Sequence, residues 1–362
     1  MKYKATALLL LLFLTGTSLL SLIMPDHYFS VREKRKLTQK PEFELEGLWD
    51  KTYLDDLEAY LTDQFPGRDG WITLKTAGEL AMGRRERSGV YSGSDGFLMD
   101  AFRQYDPAFL EANLDQLCIL RDQLRNLPFY VLPVPMAAQI LTEKLPPAAP
   151  VVPPEEILDA MKNAGLPVID VTASLKAHRE EPIYYRTDHH YTSLGAWYCW
   201  TCWQEARGRE AGRQADWTKE TLTENFRGTT WSRVGLPWTQ PDAIEAWYQT
   251  HHAVLYNGTE KADSFYDSRY LEKDPYGVFL NSNQALSVIQ GGGEAGKLLL
   301  IKDSFGNTFA QFPAEDFREV HVIDLRFFTD DVETYAEQNG ITEVLVLYGM
   351  QNLAQQTKIL LP

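Results

Sequence analysis

Three short runs in the last third of the chain are almost wholly apolar: KLLLI at 297–301, VHVI at 320–323 and VLVL at 344–347. A strand with no polar face must be covered on both sides, which is the situation of strands inside a parallel sheet. Between these runs the apolar residues shift to helical spacing, around 307–312 and 331–338, and such helices are the crossovers that parallel strands require. The same alternation begins upstream. A helix is expected over 107–126, a strand at 129–134, a helix at 155–165, a short strand at 168–171 and a helix at 192–206. The fold class predicted is α/β, a sandwich of helices about a mostly parallel sheet.

Two regions fall outside that rhythm. Residues 5–24, ATALLLLLFLTGTSLLSLIM, carry no charge and follow Lys2 and Lys4. About 20 residues at 1.5 Å each match the roughly 30 Å of a bilayer's hydrocarbon core. Residues 1–24 therefore read as a signal peptide or a transmembrane anchor, with everything after them outside the cytoplasm. Thr15, Gly16, Thr17 and Ser18 are small but form no A-x-A site, so the cleaved and uncleaved forms both stand. Residues 25–88 read as a charged linker and a helical hairpin broken at Pro66 and Gly67. The run VYSGSDGFLM at 90–99 reads as a β-hairpin opening the main domain, 89–362. Within that domain about 208–290, rich in Trp, Tyr, Gly and Pro, reads as an irregular insertion whose rings either pack a core or stack on sugar faces.

The formal charge of −15 argues against a nucleic-acid partner, because phosphate binding needs concentrated Lys and Arg. A glycan or a neutral small molecule suits it better. Of the three cysteines, Cys199 and Cys202 form a C-x-x-C inside GAWYCWTCWQEA, where crowding by aromatics favours core packing over redox or metal chemistry.

Two segments concentrate reactive groups. In TDHHYTS, Asp188 and His190 stand two apart, so in extended chain both face one side and the carboxylate can hold His190 Nδ1 while Nε2 stays free. Thr192 or Ser193 can cap the helix that follows. In LLLIKDSFGN an apolar strand runs into Asp303 and Ser304 and then a helix, the placement of a nucleophile at the carboxyl end of a sheet. Backbone N–H groups of Ser304 and Gly306, with the Asn307 side chain, are candidate oxyanion donors. Each segment also has a plainer reading: Ser304 as a helix cap, and Asp188, His189 and His190 as a capped turn or as metal ligands completed by His251 or His252.

At these residues the chain resembles the DHHW family, with Asp188-His189-His190-Tyr191 standing where the family has Asp-His-His-Trp. DQFPGRDGW, VYSGSDGFLM, TDHHYTSLGAWYCW and KDSFGN carry the resemblance across most of the exported part. The family is similar to the SGNH-hydrolase-like domains of alginate O-acetylation proteins. That resemblance implies a flavodoxin-like α/β/α domain with a catalytic triad of Ser304, His190 and Asp188. It also implies a serine O-acetyltransferase or esterase working on acetyl groups of a surface polysaccharide, with no cofactor and no catalytic metal, beside a membrane acetyl-export partner. Tyr348 and Asn352, after the last strand, are candidate rim residues, and His189 a further substrate-binding one. The competing expectation is a noncatalytic glycan-binding or envelope-assembly protein with a vestigial site.

Overall fold

The computed structural model describes residues 2–43, 45–356, 358–359 and 361. The chain divides into two compact units, Met1–Arg84 with Ser232–Trp238, and Arg85–Trp231 with Thr239–Pro362.

The larger unit is built on a seven-stranded sheet. Its strands in chain order are β1 (Phe129–Val134), β2 (Val254–Tyr256), β3 (Glu260–Ala262), β4 (Leu286–Gln290), β5 (Ala295–Lys302), β6 (Phe317–Ile323) and β7 (Glu343–Gly349), and their spatial order is β3-β2-β4-β6-β5-β7-β1. The pairs β6–β5, β5–β7 and β7–β1 are parallel, and β4, β2 and β3 continue the sheet antiparallel from β6. β5 is flanked on both sides, with Leu300 opposite Val322 and Leu345, and the Leu298–Ile301 side chains have no solvent exposure. That burial explains why this strand lacks alternation in sequence.

The three apolar runs are strands as expected. The run at 168–171 is not: it forms only an isolated bridge from Val168 to Val131, closed by the Val131 N–H on the Pro167 carbonyl and the Ile169 N–H on the Val131 carbonyl. The helix expected at 307–312 is Phe305–Phe309, with Pro313 opening a separate turn at Pro313–Asp316. The aromatic-rich stretch is more ordered than its composition suggested. It supplies strands β2, β3 and β4, and a second antiparallel pair, Thr218–Phe226 with Asp242–Tyr248. Trp217 and Trp247 from that stretch pack with Trp197, Trp200 and Phe312 at ring separations of 4.8–6.2 Å, so these rings are core. Cys199 is buried, Cys202 partly so, both are free thiols, and burial pushes both up in pKa, away from the reactive thiolate.

Helix Ser193–Ala206 is capped by Thr192, whose hydroxyl accepts from Gly195 N–H. Gly195 is needed there: a Cβ would lie 2.2 Å from the Ile183 carbonyl. The close approach locks this helix against the segment that precedes His190.

The smaller unit holds the apolar helix Lys2–Ile23 and the hairpin of Thr52–Asp63 and Arg68–Ala81, with Gly67 in the left-handed conformation between them. Over Lys4–Ile23 the first of these is long and apolar enough to cross a membrane, with a mean hydropathy of 2.2. The stretch expected as a spacer is fastened down instead. Asp63 accepts both nitrogens of the Arg35 fork and Thr38 N–H, and those bonds, led by Arg35, hold its carboxyl below the ordinary range. Arg32 reaches the Asp69 and Gly235 carbonyls.

Replacing Leu300 by Ala in the sheet centre is expected to lower the unfolding free energy by about 2–5 kcal/mol. Phe327→Ala, at a position 53% exposed, is expected to change it by less than about 0.5 kcal/mol. Urea titration of both variants checks the contrast.

Candidate active site

β5 ends at Lys302, and two residues later Ser304 stands at the start of helix Phe305–Phe309 with φ −62° and ψ −19°. Capping the helix falls to its neighbour. The Asp303 carboxylate accepts Phe305 N–H at 2.9 Å, Gly349 N–H at 2.8 Å and Asn352 Nδ2 at 2.7 Å, tying the ends of β5 and β7 together. Ser304 makes no side-chain cap, which leaves its hydroxyl for another partner.

That partner is His190. Its Nε2 lies 2.7 Å from Ser304 Oγ, and its Nδ1 lies 2.5 Å from Asp188 Oδ1. Asp188 and His190 are both buried. The second carboxylate oxygen of Asp188 accepts Thr229 N–H at 2.7 Å and Thr229 Oγ1 at 3.0 Å, and Oδ1 also accepts the His190 N–H at 3.0 Å. Burial pushes the Asp188 carboxyl up, but the neighbouring His189 and His190 and these donors outweigh it and hold the group well below the usual carboxylate range. An ionised Asp188 accepting at Nδ1 fixes the tautomer that leaves Nε2 as acceptor for the serine proton. Gly228 makes room for this: a Cβ there would lie 2.2 Å from Asp188 Oδ2.

The imidazole is also held by rings. Tyr276 stacks on His190 at 3.9 Å and 9°, while Phe305 meets it edge-on at 4.9 Å. The Tyr276 hydroxyl donates to the Ser304 carbonyl at 2.9 Å and accepts from Thr308 Oγ1, so one side chain grips both the base and the serine. Tyr276, Thr229 and Gly228 were not singled out in the sequence. They lie 38–86 positions beyond His190 in a stretch with no periodicity, and nothing local marks them.

Among the other candidates, Gly306 donates its N–H to the Asp303 carbonyl at 3.1 Å, and its missing Cβ leaves space for Lys302, whose Cβ would be 2.4 Å away. Asn307 Nδ2 donates to Asn283 Oδ1 at 3.1 Å, and Lys302 Nζ donates to the same oxygen at 3.3 Å and to Asp324 Oδ2 at 3.3 Å. Burial pushes the Lys302 ammonium down in pKa despite Asp324. Asn283 follows three non-glycine residues at positive φ, Leu280, Asn281 and Ser282, a strained turn whose cost of order 1 kcal/mol per residue marks a position held on purpose. Tyr348 is buried and its hydroxyl has no hydrogen-bond partner among the described residues, and Asn352 serves Asp303. His189 is half-buried, its Nδ1 2.7 Å from Thr229 Oγ1 and its ring 3.8 Å from that of His190.

Asp188, His189 and His190 bring possible ligand atoms within 4.8 Å of one another, the one such trio among the described residues. The donor set suits a proton relay better than a metal, since both Asp188 oxygens and the His190 Nδ1 are already engaged. His252, suggested as a further ligand, pairs through Nε2 with Glu315 at 3.0 Å and through Nδ1 with the Gln290 carbonyl.

Among solved structures, a DHHW family protein from Eubacterium siraeum is 22% identical with a TM-score of 0.62, over 73% of this chain and 91% of that one. Bacillus cereus PatB1 carrying a sulfonyl adduct is 19% identical with a TM-score of 0.61, over 73% and 95%. The O-acetyltransferase domain of Pseudomonas putida AlgJ is 17% identical with a TM-score of 0.48, over 74% and 92%. The first two share the mixed α/β fold. No curated protein matches the sequence. The family model described as DHHW protein matches residues 33–87 and 160–323, more than half of the chain, and the chain accordingly belongs to the DHHW family.

Proposed function

We propose that this protein is an extracytoplasmic serine O-acetyltransferase or esterase, with a flavodoxin-like SGNH-type domain, acting on the acetyl groups of a cell-surface polysaccharide. The observation that carries the proposal is the continuous relay Ser304 Oγ–His190 Nε2 and His190 Nδ1–Asp188. A serine hydroxyl is a weak nucleophile until a base at hydrogen-bond distance takes its proton. His190 takes the Ser304 proton as Oγ attacks the acetyl carbonyl, and Asp188 stabilises the imidazolium. His190 then returns the proton to the leaving alkoxide, and acetyl-Ser304 remains. A sugar hydroxyl or water, deprotonated by His190, accepts the acetyl group and frees the serine. The Gly306 N–H is committed to the Asp303 carbonyl, which leaves the Ser304 N–H at the start of its helix and the second N–H of the Asn307 amide as donors to the oxyanion.

The glycan, the extracytoplasmic location and an acetyl-exporting membrane partner rest on the family and on the apolar helix at the N-terminus, which we read as an anchor. The sulfonyl adduct named for PatB1, which shares the fold, supports the same reading.

A sulfonyl fluoride, whose sulfur is attacked by an activated serine with loss of fluoride and a proton, is expected to modify Ser304 in the wild type and nothing in Ser304→Ala. Ser304→Ala and His190→Ala are each expected to lower kcat/KM on p-nitrophenyl acetate by at least about 10³-fold. Peptide mass spectrometry and steady-state kinetics check both, and full activity in Ser304→Ala sinks the assignment.

Asp188→Asn puts an amide where donors converge and is expected to cost about 10³–10⁴-fold in kcat. Stability carries a sign of its own. The folded-state pKa of Asp188 lies well below the ordinary 3.8, so its ionised form stabilises the fold fully above that value, and the contribution shrinks as pH drops below it and is lost as pH falls through the lower folded-state pKa. Urea midpoints measured from about pH 6 down to about pH 3 should show the wild-type advantage over Asp188→Asn narrowing at the acid end.

A further inference from the structure

The smaller unit is unusual in what it leaves uncovered. Beyond residue 24, every large hydrophobic side chain exposed among the described residues lies in that unit, except Ile119 and Phe327. Leu54 and Leu61 share one face of helix Thr52–Asp63, and Trp71 and Leu74 share one face of helix Arg68–Ala81, at i, i+3 and i+7 spacing with Leu57. Trp49 is 86% exposed, Met82 81% and Leu74 63%. An apolar groove of about 740 Å³ runs among Phe13, Leu54, Leu57, Leu61, Phe65 and Trp71. Apolar faces of this extent mark an interaction site in a protein that is otherwise well covered.

What covers the face is indicated by its continuity with the anchor. The Phe13 ring, ten residues before the end of the apolar helix, meets Trp71 edge-on at 5.7 Å. Just past that helix, Tyr60 donates to Asp26 at 2.9 Å, and Gln64 exchanges hydrogen bonds with the backbone of His27 at 2.9 Å each way. The hairpin is thus held beside the outer half of the apolar helix rather than at the end of a long tether. A helix pair so placed, with Leu and Trp on one side and Asp55 and Asp56 on the other, turns its apolar face to the acyl chains and its carboxylates to headgroups and water.

We infer that the hairpin of Thr52–Asp63 and Arg68–Ala81 is a membrane-surface platform whose apolar face and groove take the acyl chains of phospholipids in the outer leaflet. The inference rests on the anchor reading above but adds a second, separate contact with lipid. A single span leaves the exported chain free to rotate and tilt, whereas two contacts fix the smaller unit in one orientation on the bilayer.

The test uses the full chain, purified and reconstituted in vesicles of phosphatidylcholine and phosphatidylglycerol, with the photoreactive residue benzoylphenylalanine placed singly by Leu11→benzoylphenylalanine, Leu61→benzoylphenylalanine, Leu74→benzoylphenylalanine or Ile119→benzoylphenylalanine. Each variant is first checked for an unchanged thermal transition. Lipid adducts read by mass spectrometry are expected at 61 and 74 at least about tenfold above those at 119, the exposed apolar position of the larger unit. Adducts at 61 and 74 no greater than at 119 overturn the platform, and if 11 is labelled in that case the anchor reading survives. Labelling at 61 and 74 without labelling at 11 supports the platform and removes the anchor. Cross-linking of 61 or 74 in native membranes to a protein instead of lipid also overturns the inference.

Discussion

The buried Asp303 carboxylate is the joint on which the site depends. It accepts from the start of the Phe305–Phe309 helix, from the end of β7 and from Asn352, and so joins two parallel strands to the helix in one point. Because Asp303 does the capping, the next residue, Ser304, is spared that role and can turn its hydroxyl to His190. Burial pushes the Asp303 carboxyl up in pKa despite three donors, a cost the sheet accepts for a rigid serine. Polar groups this deep are tolerated when fully hydrogen-bonded, and they then specify one geometry.

Around that joint the site is assembled from segments with different kinds of rigidity. Ser304 is fixed by the sheet. His190 is fixed by its neighbours, between the Tyr276 ring and Phe305, and Asp188 by the Thr229 donors and the space that Gly228 leaves. Behind them, the buried Lys302 and Asp324 pair, the more exposed Arg326 reaches Asp324 Oδ2 with Nη2 at 2.5 Å, and Lys302 orients Asn283 by donating to its oxygen. A proton relay works only if its members hold their distances without help from substrate, and each member here has at least two constraints.

Much of this could be read from the sequence, for identifiable reasons. Parallel strands buried on both faces betray themselves as apolar runs, so β5, β6 and β7 and the position of Ser304 at the end of β5 were legible. Asp188 and His190 were legible because a spacing of two residues is a local geometric statement. The supports were not. Tyr276, Thr229 and Asn283 reach the site by tertiary folding of a stretch without periodicity, and three successive left-handed residues before Asn283 have no glycine to announce them. The strands β2, β3 and β4 were hidden because each is only three to five residues long, too short to display a period. The charged stretch after the apolar helix reads as a linker by composition, and the bonds of Arg35 to Asp63 and of Arg32 to backbone carbonyls have no local signal there.

The proposed chemistry turns on one covalent bond, between an acetyl group and Ser304 Oγ. It is tested most directly by mixing the wild-type protein with an activated acetyl ester, quenching in acid during turnover and mapping the acetyl group by peptide mass spectrometry. An acetyl group is expected on Ser304, accumulating in the burst and disappearing when the donor is exhausted. Continued turnover with Ser304 unmodified at every time, or with acetyl on another side chain, would contradict it.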